Sequence, residues 1–228
     1  MIGNKEYNEN NCFKAVIFDM DGTLIDSTEA DFLAWQKLFS FYKKPFIFQD
    51  YISLMGIKSA EVVNEFLPVK NEEELQTALA KKMMYFQEII GVNGIYPVAY
   101  AEVFLKQIKQ YNIPMALATS SRKTKMKLVM EKVGWLSYFD AIITAEDVTN
   151  GKPSPDIFIR AAEMLSVLPE DCLVFEDAAN GVKAAKNASI KCVALASVQT
   201  PDLLYEADLI IPGFKDLDFP DLCFQLKK

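Results

Sequence analysis

The sequence predicts an α/β protein, a doubly wound parallel sheet interrupted by an inserted helical block, and three observations lead there. Short, near-continuously apolar runs recur at Phe13 to Phe18, Pro114 to Thr119, Ala141 to Thr144, Cys172 to Phe175, Lys191 to Leu195 and, more briefly, Leu209 to Ile211. That is the pattern of strands buried on both faces. Helical spacing fills the intervals near 98–110, 122–133, 155–166 and 179–188, and strands alternating with helices of that length signal parallel pairing. Thirdly, 28–90 shows helical periodicity alone, in Phe32, Trp35, Leu38 and Phe39, then Val62, Val63 and Phe66, then Leu75, Leu79 and Met83.

These patterns divide the chain into a core, 12–27 with 91–228, a helical cap, 28–90, and a polar, Asn-rich start, 1–11, expected to be flexible. Asp26-Ser27 on one side and Gly91, Gly94 and Pro97 on the other are the expected hinges, where the cap would swing over the carboxyl edge of the sheet.

Composition narrows the function classes. With 228 residues, 51% of them hydrophobic and 24% charged, the chain can bury a substantial core. No apolar run approaches the ~20 residues that span a bilayer, and residues 1–11 lack an apolar signal region, so a cytoplasmic protein without a membrane partner is expected. A net charge of −7 without clustered Lys and Arg argues against nucleic acid. Histidine is absent altogether. That excludes Ser-His-Asp and Cys-His nucleophiles and imidazole-ligated zinc, and it requires any metal to be held by oxygen. The four cysteines, Cys12, Cys172, Cys192 and Cys223, show no C-x-x-C spacing and are expected to be reduced, structural thiols. Nothing in the sequence specifies an oligomeric state.

Polar residues cluster where the strands end. Asp19 and Asp21 follow the first strand one residue apart, with Met20 turned away between them and Gly22 supplying a sharp turn. In open α/β sheets the ligand crevice lies outside the carboxyl ends of the strands, so both carboxylates are placed to face it. Thr119-Ser120-Ser121 ends the second core strand just before a helix that begins near Arg122, where free N–H groups favour an anion such as phosphate. Lys152 is fixed between Gly151 and Pro153, ahead of a helix expected to have Ser154 as its cap and Pro155 at its first position. Glu176-Asp177 ends the strand expected to lie beside the first; with Asp19 these acids offer the hard oxygen ligands that Mg²⁺ prefers.

Taken in order, these four elements resemble the motifs of the haloacid dehalogenase superfamily, in its phosphatase and β-phosphoglucomutase-like branch. Asp19-Met20-Asp21-Gly22-Thr23-Leu24-Ile25-Asp26-Ser27 looks like the first motif, Thr119 the second, Lys152 the third and Glu176-Asp177 the fourth, with 28–90 similar to the cap. The resemblance implies a Rossmann-like core and Mg²⁺ as cofactor. It makes Asp19 the nucleophile and Asp21 the general acid/base and, through its carbonyl, a metal ligand. Asp177 would be a further metal ligand, Asp19 also binding the ion, and Glu176 a supporting acid, while Thr119, Ser120 and Lys152 would hold the phosphoryl group.

The implied activity is Mg²⁺-dependent hydrolysis of a small phosphorylated metabolite, a sugar phosphate, through an aspartyl phosphate. The alternative is a β-phosphoglucomutase-type mutase. In the cap, Gly56-Ile57-Lys58-Ser59-Ala60 matches the family's substrate-specificity loop, but where the sugar mutases carry arginine this loop has Lys58 and Ser59, and Asp31 stands where they have histidine. A phosphatase is therefore expected, with Lys58, Ser59 and Lys81 as candidate substrate contacts. Two further readings are a dehalogenase, which needs neither Asp21 nor Asp177, and a non-catalytic binding domain of the same fold, which would tolerate loss of residues that are all intact here.

Overall fold

A computed structural model describes residues 12–226; the expected flexible start, 1–11, lies outside the described residues. Strands β1 (Ala15–Phe18), β4 (Met115–Ala118), β5 (Ala141–Ile143), β6 (Cys172–Glu176), β7 (Lys191–Leu195) and β8 (Leu209–Ile211) form one six-stranded sheet in the order β5-β4-β1-β6-β7-β8. Every pairing in it is parallel. Helices α5 (Ala101–Gln110), α6 (Lys123–Val133), α7 (Asp156–Met164), α8 (Ala179–Asn187) and α9 (Phe219–Leu226) cover it, and α1 (Thr28–Phe41), α2 (Phe48–Leu54), α3 (Ser59–Phe66) and α4 (Glu72–Asn93) form the inserted block. Helix α9 lies outside the elements expected from the sequence.

Because side chains alternate along a strand, the period of two sorts each strand between two cores. Val16, Phe18, Met115, Leu117, Leu173 and Phe175 face one side with Phe104, Ile108, Met130 and Phe219. Ala15, Ile17, Ala116, Ala118, Cys172 and Val174 face the other with Phe158, Ala161 and Val182. The first face is aromatic: Phe18 stacks on Phe175 at 5.0 Å and meets Phe104 edge-on at 6.4 Å. Truncating Phe18 to Ala would cost about 3–5 kcal/mol through lost transfer and cavity terms. Both faces are full, which holds the carboxyl edge of β1, β4 and β6 as a rigid rim.

The inserted block leaves and re-enters the core at one place. A tight turn from Met20 to Ile25 leads into a two-residue strand, β2 (Ile25–Asp26), which pairs antiparallel with β3 (Tyr96–Pro97). Helix α4 continues through Gly91 and stops at Gly94, whose φ of +79° suits glycine. The block has its own core of Trp35, Leu38, Phe39, Tyr51, Val63 and Leu79. Ala30, Ala34, Phe86 and Ile90, at the near ends of α1 and α4, join the sheet's first core.

Two local expectations are corrected. Pro155 rather than Ser154 is the N-cap of α7, and the Ser154 hydroxyl instead donates to the Asp156 carboxylate at 2.6 Å. Cys12 and Cys223 are not free thiols but form a disulfide with Cα atoms 4.8 Å apart. Their sequence separation of 211 conceals a pairing that exists because α9 packs beside the entry to β1. Cys172 and Cys192 are buried and outside any disulfide, as expected.

Candidate active site

The rim of β1, β4 and β6 brings the four sequence motifs together. Asp19 continues β1, its N–H donating to Phe175 O at 3.0 Å, so its carboxylate emerges beside the end of β6. Glu176 is the last residue of β6 and Asp177 follows it. Lys152 reaches across from the loop before α7. Its Nζ donates to Asp19 Oδ1 and Glu176 Oε1, both at 2.6 Å, and to Ala118 O at 3.3 Å. All four side chains are buried.

Glycine makes this density possible. A Cβ on Gly22, where φ is +81°, would come within 2.0 Å of Asp177 Oδ2, and one on Gly181 within 1.9 Å of Glu176 Oε1. Neither overlap is tolerable, and the first position also needs left-handed backbone.

Charge on this floor does not balance. Three buried carboxylates face one ammonium, and the ligand oxygens of Asp19, Glu176 and Asp177 lie within 4.8 Å of one another. Burial, opposed by Lys152 and reinforced by Glu176 and Asp21, raises the Asp19 pKa to about 7. Burial together with the charges of Glu176 and Asp19 pushes Asp177 well above the usual carboxylate range. Burial would lower the Lys152 pKa, but the charges of Asp19 and Glu176 outweigh it and raise the pKa above the usual lysine value. Glu176 is satisfied, its Oε2 accepting from the N–H groups of Asp177 and Ala178 at 2.8 and 3.0 Å. Asp177 is not: Oδ1 accepts from Thr23 at 3.1 Å, while Oδ2 is buried with no partner. An orphaned carboxylate oxygen in an all-oxygen cluster with surplus negative charge fits a small, hard divalent cation such as Mg²⁺.

A second charged cluster forms the roof. Asp21 Oδ1 accepts from Ser27 Oγ and lies 2.8 Å from Lys125 Nζ, and its Oδ2 accepts from Ser121 Oγ at 2.6 Å. Lys125 also pairs with Asp31 at 2.8 Å, and Asp31 with Lys82 at 2.7 Å. Burial opposes the ionisation of Asp31, yet Lys125 and Lys82 overcome it and hold the carboxyl well below its usual range. Lys82 is pulled down by burial, against the attraction of Asp31.

The remaining candidates divide. Thr119, Ser120 and Ser59 line the pocket with Asp19 and Asp177. The Ser120 hydroxyl is engaged with Gly56 O at 2.6 Å, and Thr119 Oγ1 accepts from the N–H of Ser121. Lys58 does not point at the acids; its Nζ donates to Val148 O and Thr149 O at 2.7 and 3.0 Å, tying the cap loop to the core. Lys81 lies 4.1 Å from the centroid of the Phe41 ring, and its neighbour Lys82 lines the pocket instead. Sequence reasoning missed Lys82 and Lys125, whose only signal was a lysine at the right turn of each helix.

A strand-edge cluster of buried acids and one lysine, under a helical block, is an arrangement that can hold a cation with an anionic substrate beside it. Comparison with known proteins agrees. Residues 13–189 match the family model of haloacid dehalogenase-like hydrolases. The chain is 30% identical over 210 residues to the validoxylamine A 7'-phosphate phosphatase of Streptomyces hygroscopicus subsp. limoneus, covering 92% of this chain and 98% of that one. It is 33% identical over 183 residues to the phosphorylated carbohydrates phosphatase of Thermotoga maritima, covering 78% and 82%. The crystal structure of a β-phosphoglucomutase from Clostridium difficile superimposes with a TM-score of 0.84 at 27% identity, over 94% and 97% of the two chains. The chain belongs to the haloacid dehalogenase-like hydrolases, in their β-phosphoglucomutase-like branch. It is a phosphoric monoester hydrolase. Among the described residues no helix is long and apolar enough to cross a membrane.

Proposed function

We propose that this chain is a Mg²⁺-dependent phosphatase acting on a small sugar phosphate through an aspartyl phosphate on Asp19. The observation that supports this most directly is the unpartnered Oδ2 of Asp177 inside the buried trio of Asp19, Glu176 and Asp177. Held by Asp19, Asp177 and the Asp21 carbonyl, Mg²⁺ would neutralise phosphoryl oxygens that otherwise repel an attacking carboxylate. Lys152 anchors Asp19 through its Oδ1 and balances charge as the phosphoryl group arrives.

The chemistry divides between two carboxylates. Asp19 attacks phosphorus and the alkoxide departs. Asp21, carrying a proton when it leaves its socket of Ser27, Ser121 and Lys125, gives that proton to the alkoxide and takes one back from the water that hydrolyses the acyl phosphate. Thr119 and Ser120 bind the transferred group; Ser120 must first release Gly56 O, so substrate entry is coupled to lifting of the cap loop. The pocket measures about 60 Å³, too little for a sugar phosphate, and we propose that the block 28–90 opens about the paired β2 and β3 linkers to admit one.

The sugar class rests on relatives whose names specify phosphorylated carbohydrates. A mutase would share the whole floor but needs an additional cationic phosphate site, and the cap ammonium of Lys82 is already paired with Asp31. The test is a phosphate-release screen over sugar phosphates, nucleotides and three-carbon phosphates with and without Mg²⁺. β-Glucose 1-phosphate with its bisphosphate is included as an isomerisation assay. Mg²⁺-dependent release from a sugar phosphate is expected; isomerisation without release would overturn the choice of phosphatase.

A further inference from the structure

The roof of the pocket contains its own anion. Asp31, at the first turn of α1, sits between two buried ammoniums, 2.7 Å from Lys82 Nζ and 2.8 Å from Lys125 Nζ. Those lysines come from different parts of the fold, α4 of the inserted block and α6 of the core. Lys125 is further committed to Asp21, and Lys82 lies 4.5 Å from the centroid of the Trp35 ring. On the floor, Lys152 is saturated by Asp19 and Glu176.

The space a leaving group could use lies on the far side of this roof. A second cavity of about 340 Å³ shares Ser59, Lys82, Ser121 and Lys125 with the pocket and is otherwise walled by groups such as Leu79, Met83 and Phe86. The remaining cation on its wall, Arg122, is paired with Glu146 at 3.1 Å. A leaving group passing from one cavity to the other therefore meets two lysines already neutralised by a carboxylate that belongs to the protein.

A second phosphate or a carboxylate on the substrate would have to face Asp31 across these lysines, and like charges brought together in a desolvated site repel strongly. A hydroxyl can instead accept from an ammonium and donate to Asp31, at no charge penalty. Resting on the proposed reading of the floor as a phosphoryl site, we infer that Asp31 is a specificity-determining residue. It selects phosphate monoesters whose leaving group is uncharged and hydroxyl-bearing, and it excludes substrates with a second anionic group by occupying that group's place with its own carboxylate.

The test is calorimetric titration of Mg²⁺-loaded Asp19→Asn protein, which binds without turnover, with glucose 6-phosphate and with glucose 1,6-bisphosphate. With Asp31 in place the monophosphate should bind about tenfold more tightly or better. Asp31→Asn should shift the affinity ratio toward the bisphosphate by about tenfold or more, and adding Lys82→Met should take that gain back. The inference is overturned if the bisphosphate binds as tightly as the monophosphate with Asp31 present, if neither probe binds, or if Asp31→Asn leaves the ratio where it was. Should Asp31→Asn fail to fold, the ratio measured with Asp31 in place decides. The unsubstituted protein is assayed in parallel for phosphate release. If it releases none from any monoester while the ratio still moves, the proposed function falls and the role of Asp31 stands.

Discussion

The floor and the roof of the pocket are both buried charge clusters, yet they solve the problem of buried charge in opposite ways. On the floor, Asp19, Glu176 and Asp177 outnumber Lys152, two of the acids are pushed up in pKa, and one oxygen has no partner. In the roof, Asp21 and Asp31 are matched by Lys82 and Lys125, and Asp31 is held well below the ordinary range. A matched cluster is complete as the chain folds it. An unmatched one is complete only with something the chain does not supply, so the floor is where a cation and a substrate belong, and the roof is where the shape of the substrate is restricted.

The largest effect expected is on turnover. Asp19→Asn preserves shape and removes the attacking charge, so phosphate release should fall by about a thousandfold or more, measured by steady-state kinetics, with the thermal midpoint little changed. Comparable turnover would remove Asp19 from the chemistry and leave the floor a mere metal site.

Neutralising one charge in each cluster should then give opposite signs of stability. Asp177→Asn relieves the surplus on the floor: without metal the protein should melt no lower than the unsubstituted chain, while Mg²⁺ affinity by calorimetry drops about 10–100-fold. Lys125→Met strips the roof of the ammonium shared by Asp21 and Asp31 and should destabilise the fold by about 3–5 kcal/mol in denaturant titration. If both substitutions destabilise metal-free protein equally, the distinction between a complete and an incomplete cluster is wrong.

A pair remote from both clusters sets the scale. Asp208 accepts from Lys186, Lys191 and the N–H of Cys192. Burial opposes its ionisation, but these hydrogen bonds outweigh it and lower its pKa. Because the folded pKa is the lower one, its stabilisation is present above the unfolded value of about 3.9 and lost as pH falls through the folded value. Asp208→Asn should therefore cost about 1 kcal/mol at pH 7, an amount that shrinks progressively in melts taken below about pH 4.

Particular residues show what was readable before folding. The alternation of apolar runs and helical spacing located all six strands of the main sheet, since a two-sided buried strand must be apolar throughout and a helix must repeat near 3.6. Asp19 and Glu176-Asp177 stand out because each ends an apolar strand, where a carboxylate has no packing purpose, and Lys152 because Gly151 and Pro153 fix it on a turn. Lys58, in the loop that resembles the family's specificity loop, and Lys81 are expected substrate contacts, but the fold turns the first onto backbone carbonyls and the second onto Phe41. Helix α9 and the Cys12–Cys223 bond escaped notice because their partners are distant in the chain.

The sequence by itself thus determined the class of fold, the order of its elements and the identity of the acids at the strand ends, because periodicity and punctuation are local properties. Only the tertiary structure decided which charges meet. Whether Lys82 or Lys81 enters the pocket, whether Asp31 finds two ammoniums, and whether Asp177 keeps an oxygen unpaired all depend on contacts between α1, α4, α6 and the rim of β1 and β6. Those contacts join residues from about fifty to more than a hundred and fifty positions apart, and no local pattern encodes a distance that the chain closes only when its cores pack.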